Sequence, residues 1–476
     1  MTRGRARAVV VGGGIAGLVA AYDLVRAGWT VDVHEAADRW GGKVWSSPVG
    51  DRVVDAGPDA FLARVEPGRR LCADLGLESE LTSPVSPVPA YLARDGRLHP
   101  LPAGSMLGVP TDLDVLRRGG LISPEGIAAA ETDRTAPATP IRTASPESPG
   151  GVIDDISVGA YCRARLGDEI TDRLIDPLLG GINASDIDSL SLRAGAPLLA
   201  DAADQGPSLI DELARLRPAT GATLGTAEKA QPVFYGIPGG TARIVDTVLA
   251  ALEDSGRARL HLRSPVSDLD AVTDGAGAEG AGAGDVPVII GTPAFATADI
   301  VASVSPDTAA LLEGIGYASV AQAVVELPRS AVGCELDASG ILFPRVEGTM
   351  LTACTWLSTK WAHYRRPDSV LLRLSSGRFG DRRPADHDDA SLIAALLDDL
   401  RTVVAVDGTP IATRVLRWDR AFPQYAPGHL GRVAAITDAL AADAPNVRLV
   451  GAAYRGIGLP ACIDDGRTAA QELLDG

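Results

Sequence analysis

The 476-residue chain carries 44 Lys+Arg against 61 Asp+Glu, a formal charge of −17 at neutral pH. Nucleic acid and anionic membrane surfaces both demand a basic footprint, so this balance excludes them as default partners. With 46% hydrophobic and 22% charged residues the chain reads as folded and globular, and it is too long for one core, so two or more domains are expected.

Residues 7–35 read as one βαβ unit. Ala8–Val11 is a short buried strand, a glycine cluster turns the chain, Ile15–Ala27 has helical apolar spacing, Gly28 caps it and Thr30–His34 alternates as a second strand. The unit contains Gly12-x-Gly14-x-x-Gly17 and ends on Glu35. Glycines allow a tight turn and close backbone approach to a diphosphate, the helix N-terminus offers oriented N–H groups, and the carboxylate accepts from a ribose hydroxyl. Glu35 would repel the extra phosphate of NADP but does not separate NAD from FAD. Directly after it, Asp38-Arg39-Trp40-Gly41-Gly42-Lys43 forms a second glycine turn whose arginine could complete a diphosphate cradle. It is no P-loop, because Val44 follows Lys43.

Residues 123–151 and 273–285 are expected to be surface loops, the first rich in Pro, Ala, Ser, Thr and Glu, the second nearly all Gly, Ala and acid. Val158–Leu166, Glu169–Leu179 and Thr241–Glu253 are predicted helices. From 286 to 430 strand-like runs dominate, among them Val286–Ile290, Val320–Leu327 and Val370–Leu374. The end of the chain returns to the style of its beginning, with a strand at Val447–Val450, a turn at Gly451–Gly458 and a helix at Ile463–Leu474. The predicted fold is therefore α/β with α+β insertions: a discontinuous Rossmann-like cofactor domain (1–85, 231–295 and 430–476), a helical insertion (86–230) and a substrate-binding sheet domain (296–429).

Other chemistries find little support. Cys72, Cys162, Cys334, Cys354 and Cys462 form no CxxC pair and are odd in number, which points away from disulfides and zinc and fits a reducing cytoplasm. The histidines make no HxxxH spacing, so no metal is expected, and no GxSxG elbow marks a hydrolase. No uninterrupted apolar run reaches the roughly 20 residues of a membrane span.

The Gly12–Glu35 unit, the Arg39-x-Gly-Gly turn and the terminal strand–turn–helix together resemble the flavin amine oxidase superfamily. Gly57-Pro58-Asp59-Ala60-Phe61, Asp176-Pro177-Leu178-Leu179-Gly180-Gly181-Ile182, Lys360-Trp361, Arg417-Trp418, Pro423-Gln424-Tyr425-x-x-Gly428-His429 and Gly451-Ala452-x-Tyr454-x-Gly456-x-Gly458-x-Pro460 narrow the likeness. They are similar to the oxygen-dependent porphyrinogen oxidases of bacterial haem synthesis, a family usually labelled protoporphyrinogen oxidase, whose soluble Gram-positive and actinobacterial branch acts on coproporphyrinogen III. The resemblance implies non-covalent FAD held by Gly12, Gly13, Gly14, Ile15, Ala16, Gly17, Glu35, Ala36, Lys43, Gly57, Pro58, Asp59 and Ala60, with Arg39 and Gly42 of the second turn. It implies that Val266 gives its backbone to the adenine, that Trp418 lies by the cofactor, and that Gly456, Ile457, Gly458 and Leu459 close on the flavin. Arg64, Asn183 and Lys360 become the expected substrate contacts, Arg64 as a propionate clamp. Two departures stand out: Asn183 replaces a usual aromatic residue, and Gly451-Ala452 lacks an acid that many flavoenzymes place on the ribityl chain.

The implied chemistry needs no catalytic side chain. Hydride leaves a bridging carbon for flavin N5, protons leave the macrocycle nitrogens, and three cycles with dioxygen release peroxide. The expected partners are thus a porphyrinogen and dioxygen, with a transient contact to the next haem-pathway enzyme. Three alternatives stay open: a protoporphyrinogen IX oxidase, an amine or polyamine oxidase, and a flavin-binding porphyrin carrier without turnover.

Overall fold

The computed structural model describes residues 6–86, 88–144, 152–216, 232–269 and 286–475. The loop expected at 273–285 lies outside them. The chain divides into two compact units: Met1–Ser83 with Pro232–Gly316 and Leu430–Gly476, and Pro84–Gln231 with Tyr317–His429.

The first unit is built on a five-stranded parallel sheet, in the order Ala258–His261, Thr30–His34, Arg7–Val11, Val288–Ile290, Val447–Leu449. Its strands are short runs of Val and Ile, the pattern of a sheet covered on both faces. Ala8, Val10, Val31, Val33 and Ile289 are accordingly sealed from solvent. The helix Ile15–Arg26 buries Leu18, Val19, Ala20, Ala21 and Leu24. The helix Leu459–Asp475 packs on it so tightly that a Cβ on Gly466 would collide with the Ala16 carbonyl oxygen. This helix begins four residues before the predicted Ile463. Pro460 sits in its first turn, where a missing N–H leaves nothing unsatisfied. The helices Ala294–Val301 and Pro306–Glu313 also belong to this unit, although the sequence reading placed residues 296–316 with the sheet domain.

The second unit contains a seven-stranded sheet, in the order Ala412–Pro423, Tyr317–Pro328, Ser369–Ser376, Leu351–Trp356, Gly340–Leu342, Tyr91–Arg94, Arg97–Pro100. All pairings are antiparallel except that of Gly340–Leu342 with Tyr91–Arg94. A helix the sequence reading missed, Asp389–Arg401, covers it with Leu392, Leu396 and Leu400; Asp388 caps it by accepting the Ser391 N–H.

Two expectations are corrected in this unit. Residues 91–100, assigned to a helical insertion, form a hairpin at the sheet edge. Asp95 and Gly96 both take positive φ (50° and 72°), as a two-residue hairpin turn requires. The loop expected over 123–151 is ordered at its start, where Pro124–Glu131 is a helix with Ile127 and Ala130 buried. Ser123 caps that helix through the Gly126 N–H and Pro124 opens it, so a start signal was read as low complexity. The predicted helix Val158–Leu166 is present, and Thr171–Gly180 continues in wider, π-type turns that accommodate Pro177. At the far side of this helical region Arg165 and Asp133 form an ion pair with both side chains almost wholly buried.

Candidate functional site

In the first unit three turns present backbone to one face. Gly12 leaves the first strand with φ 103°, and a Cβ there would sit 2.9 Å from the Gly291 carbonyl carbon. Its N–H donates to the His34 carbonyl at 2.8 Å. Gly13 is crowded by the Trp40 ring and Gly17 by the Gly12 carbonyl oxygen, so side chains are excluded at both. Gly14 differs, because a Cβ added to it would meet nothing within 4 Å. The protein's own packing therefore does not demand a glycine at position 14. Bare backbone beside the first N–H groups of Ile15–Arg26, flanked by Ile15 and Ala16, suits a close-approaching diphosphate.

Glu35 is placed by the end of Thr30–His34. Its Oε2 accepts the Gly13 N–H and its Oε1 the Ala37 N–H, both at 2.7 Å, so it anchors the glycine turn while Ala36 stays exposed beside it. Each oxygen keeps a further lone pair for a ribose hydroxyl. Glu35→Ala should weaken FAD about tenfold to a hundredfold, the loss of roughly 1.5–3 kcal/mol usual for a charged hydrogen bond. Fluorescence titration of the apoprotein checks this, and an unchanged affinity would remove Glu35 from the ribose.

The second turn is laced to the first. The Gly41 N–H donates to the Gly13 carbonyl at 2.7 Å, and Arg39 Nη1 reaches the Gly42 carbonyl at 2.6 Å while its guanidinium lies 4.4 Å from the Trp45 ring centre. Burial pulls the Arg39 pKa down, an effect that neighbouring Glu35 opposes. Lys43 makes no ion pair or side-chain hydrogen bond among the described residues, and burial lowers the pKa of its ammonium. Its neighbour Cys462, pushed up to about 12 by burial, offers a neutral thiol in place of a counter-charge. A desolvated ammonium without an acceptor is costly, and an anionic ligand relieves it.

Gly57 admits no side chain, because the Lys43 carbonyl lies against it. Behind Gly57-Pro58-Asp59-Ala60 stands buried Asp55, which the sequence reading missed. Asp55 accepts from Ser46 Oγ (2.7 Å), the Thr241 N–H (2.8 Å) and Thr241 Oγ1 (2.9 Å), and Thr241 Oγ1 also reaches the Pro58 carbonyl at 2.8 Å. Burial raises the Asp55 pKa, and the Ser46 hydroxyl opposes that rise. The only signal for it was an acid two residues ahead of a Gly-Pro turn.

Val266 follows the stretch in which Arg263 and Ser264 donate to the carbonyls of Ala37 and Glu35, each at 2.9 Å. Its own backbone makes no hydrogen bond among the described residues, which leaves it available to an adenine. In the third turn the acid absent at 452 is supplied from the helix. Asp465 accepts the Gly451 N–H at 2.7 Å and Arg455 Nη1 at 3.2 Å, so it shapes the turn that carries Gly456, Ile457, Gly458 and Leu459. Asp465 too was missed.

The other expected residues were placed as follows. Arg64 is exposed in the first unit and has no partner among the described residues. In the second unit Trp418 is half-buried opposite Val320. Asn183 is buried, with its amide donating to the Leu179 carbonyl at 2.9 Å, so that N–H group ties off a helical segment. Lys360 holds its ammonium 5.2 Å from the Trp361 ring centre. Trp356 and Trp361 are core residues, and His429 is buried with its ring stacked on Tyr425 at 4.1 Å, at the first residue of a helix.

A parallel sheet ending in a bare glycine turn, a carboxylate beside that turn, a second helix N-terminus and an uncompensated ammonium fit an anionic dinucleotide, and together they define a dinucleotide-binding protein. The model of the flavin-containing amine oxidoreductase family matches residues 15–474, and the chain belongs to that family. It is 32% identical over 495 aligned residues to the coproporphyrinogen III oxidase of Bacillus subtilis (strain 168), covering 100% of this chain and 99% of that protein. With the coproporphyrinogen III oxidase of Mycobacterium tuberculosis it shares 32% identity over 475 residues, 98% of this chain and 97% of the other. A crystal structure from Exiguobacterium sp. 255-15, named for protoporphyrinogen oxidase, superposes with a TM-score of 0.81 at 27% identity, covering 99% of this chain and 100% of that one. FAD is the cofactor. Among the described residues no helix is long and apolar enough to cross a membrane.

Proposed function

We propose that the chain oxidises coproporphyrinogen III to coproporphyrin III in the haem pathway of the cytoplasm. The observation that carries this reading is the 32% identity, over the whole chain, to a protein named for that reaction. The bound flavin supplies a two-electron acceptor, which dioxygen restores with release of hydrogen peroxide. Three rounds, each removing a hydride from a bridging carbon and a proton, with tautomerisation between them, take away the six hydrogens that separate the two macrocycles, in sum four from the bridging carbons and two from the nitrogens. In this reading the chain's own residues bind and orient and none acts as a nucleophile. The first unit holds FAD through the three turns, and its exposed Arg64 clamps a propionate bidentately. The released porphyrin then passes to the next enzyme of the pathway through a transient contact.

A second reading, protoporphyrinogen IX oxidase, is favoured by the name on the Exiguobacterium structure and by a 26% identical chloroplast protoporphyrinogen oxidase from rice. The two substrates differ where two propionates replace two vinyls. The ratio of kcat/KM for them decides: coproporphyrinogen III should be preferred, and Arg64→Ala should raise its KM more than it lowers kcat. A preference for protoporphyrinogen IX reverses the substrate assignment. Peroxide formed only with amines marks an amine oxidase, and tight porphyrin binding without turnover marks a carrier.

A further inference from the structure

The second unit contains a crevice of about 390 Å³ lined by Arg345, Arg378, Phe379 and Arg383, with Asp186 and Asp381. Two of the three arginines are tied into the fold by at least two hydrogen bonds each, Arg345 with donors to spare. Arg383 Nη2 donates to Asp381 at 2.7 Å and to the Thr349 carbonyl at 3.1 Å, and its Nη1 to the Gly348 carbonyl at 3.1 Å. Arg345 donates to Asp186 at 3.1 Å and to the Ser185 carbonyl at 3.2 Å. Arg378 is different. It is 8% exposed, yet its one side-chain hydrogen bond among the described residues is a long contact from Nη1 to Asp176 Oδ2 at 3.4 Å.

A guanidinium carries five N–H donors, and a buried one normally finds acceptors for them. The Nε and Nη2 of Arg378 have none among the described residues and are not sealed from solvent, so they open onto the crevice that the residue lines. Burial lowers the Arg378 pKa and raises that of Asp176, so the pair only partly compensates its own desolvation. The flat fork of donors matches a carboxylate, and Phe379, 37% exposed on the same crevice, offers an apolar wall beside it. Asp186 and Asp381 pair with Arg345 and Arg383 at 3.1 and 2.7 Å, whereas Arg378 meets its counter-ion Asp176 through Nη1 alone, at 3.4 Å, which leaves its Nε and Nη2 for a ligand.

We propose that this crevice is a carboxylate-binding site centred on Arg378, with Arg345 as a second donor, for an acid carried on an apolar body. A porphyrin propionate is one source of that carboxylate, an identification that rests on the function proposed above; a free polycarboxylate is the other. The FAD-loaded protein is titrated with coproporphyrin III, followed by the Soret shift, and separately with citrate, followed by calorimetry. Arg378→Gln should weaken coproporphyrin III at least tenfold and Arg345→Gln about threefold, with FAD content per folded chain unchanged. If Arg378→Gln does not accumulate because Asp176 loses its counter-ion, Arg378→Gln with Asp176→Asn removes both charges and serves in its place. Arg378-dependent citrate binding with Arg378-independent porphyrin binding supports the site with a free polycarboxylate as its source. Unchanged affinity for both ligands in every variant overturns the proposal. Turnover by the parent protein is measured in parallel. A parent that oxidises no porphyrinogen yet binds citrate through Arg378 keeps the site and loses the function, whereas a parent that oxidises coproporphyrinogen III with indifferent variants does the reverse.

Discussion

Asp133→Ala should destabilise the protein by about 3–5 kcal/mol, the effect of removing one partner from a buried ion pair. Asp133 is inaccessible and Arg165 nearly so, and the pair gathers three chain segments, 133–137, 165 and 208–210. Arg165 Nε donates to Asp133 Oδ1 at 2.6 Å and its Nη1 to the Pro137 carbonyl at 2.6 Å, while Asp133 Oδ2 accepts from Ser208 Oγ at 2.8 Å and the Ile210 N–H at 2.9 Å. Alanine would strand the guanidinium and two further donors in an apolar interior. The melting midpoint should fall by roughly 10 °C, since about 2–4 °C accompanies each kcal/mol in units of this size. Replacing both residues by apolar ones of similar volume should recover much of that loss. A thermal scan in which Asp133→Ala melts within 2 °C of the parent would show that the pair is not a structural keystone.

The second large effect is on the cofactor. Gly17→Ala should leave a protein purified without colour, its FAD affinity reduced at least a hundredfold, or about 3 kcal/mol. The new Cβ meets the Gly12 carbonyl, and backbone pressed against backbone gives way only if the glycine turn or the first helix shifts. Gly14→Ala is the informative companion. Its Cβ enters open space, so the fold and the melting temperature should be kept while the diphosphate is blocked. If Gly14→Ala binds FAD as the parent does, the diphosphate does not run over that turn.

The first unit was legible because its signals are local. Gly12, Gly14, Gly17 and Glu35 fall within one βαβ unit, and apart from the close approach of Gly291 to Gly12 the demands on them are made by residues near in sequence or by the ligand. Asp55 and Asp465 were not legible, because their partners Thr241 and Gly451 are fixed by tertiary packing, and no spacing rule marks a buried acid that holds a turn. In the second unit the Asp95-Gly96 hairpin and the Ser123-Pro124 helix start carried readable signals that composition masked. An alanine-rich stretch with prolines at its ends looks like a linker until its cap is recognised. The helix Asp389–Arg401 was passed over amid strand-like runs, although Asp388 at its start and Leu392, Leu396 and Leu400 carry the cap and the period of a core-facing helix. Asn183 was expected to face a ligand because of its place in a motif, and only the coordinates show its amide turned back to the Leu179 carbonyl.

The collision that keeps Gly466 a glycine also sets the timetable on which the enzyme can become active. The Gly14 turn and Glu35 leave the ribosome well before the strand Val447–Leu449 and the helix seated on Ala16. At about 5–20 residues per second the interval is on the order of tens of seconds. Throughout it the apolar face of Ile15–Arg26 that the late helix covers has no permanent cover, and the turn at Gly456–Leu459 does not yet exist. Flavin capture therefore waits for the third turn rather than accompanying synthesis of the first. A cell short of FAD would accumulate a chain whose first unit is the part awaiting its ligand.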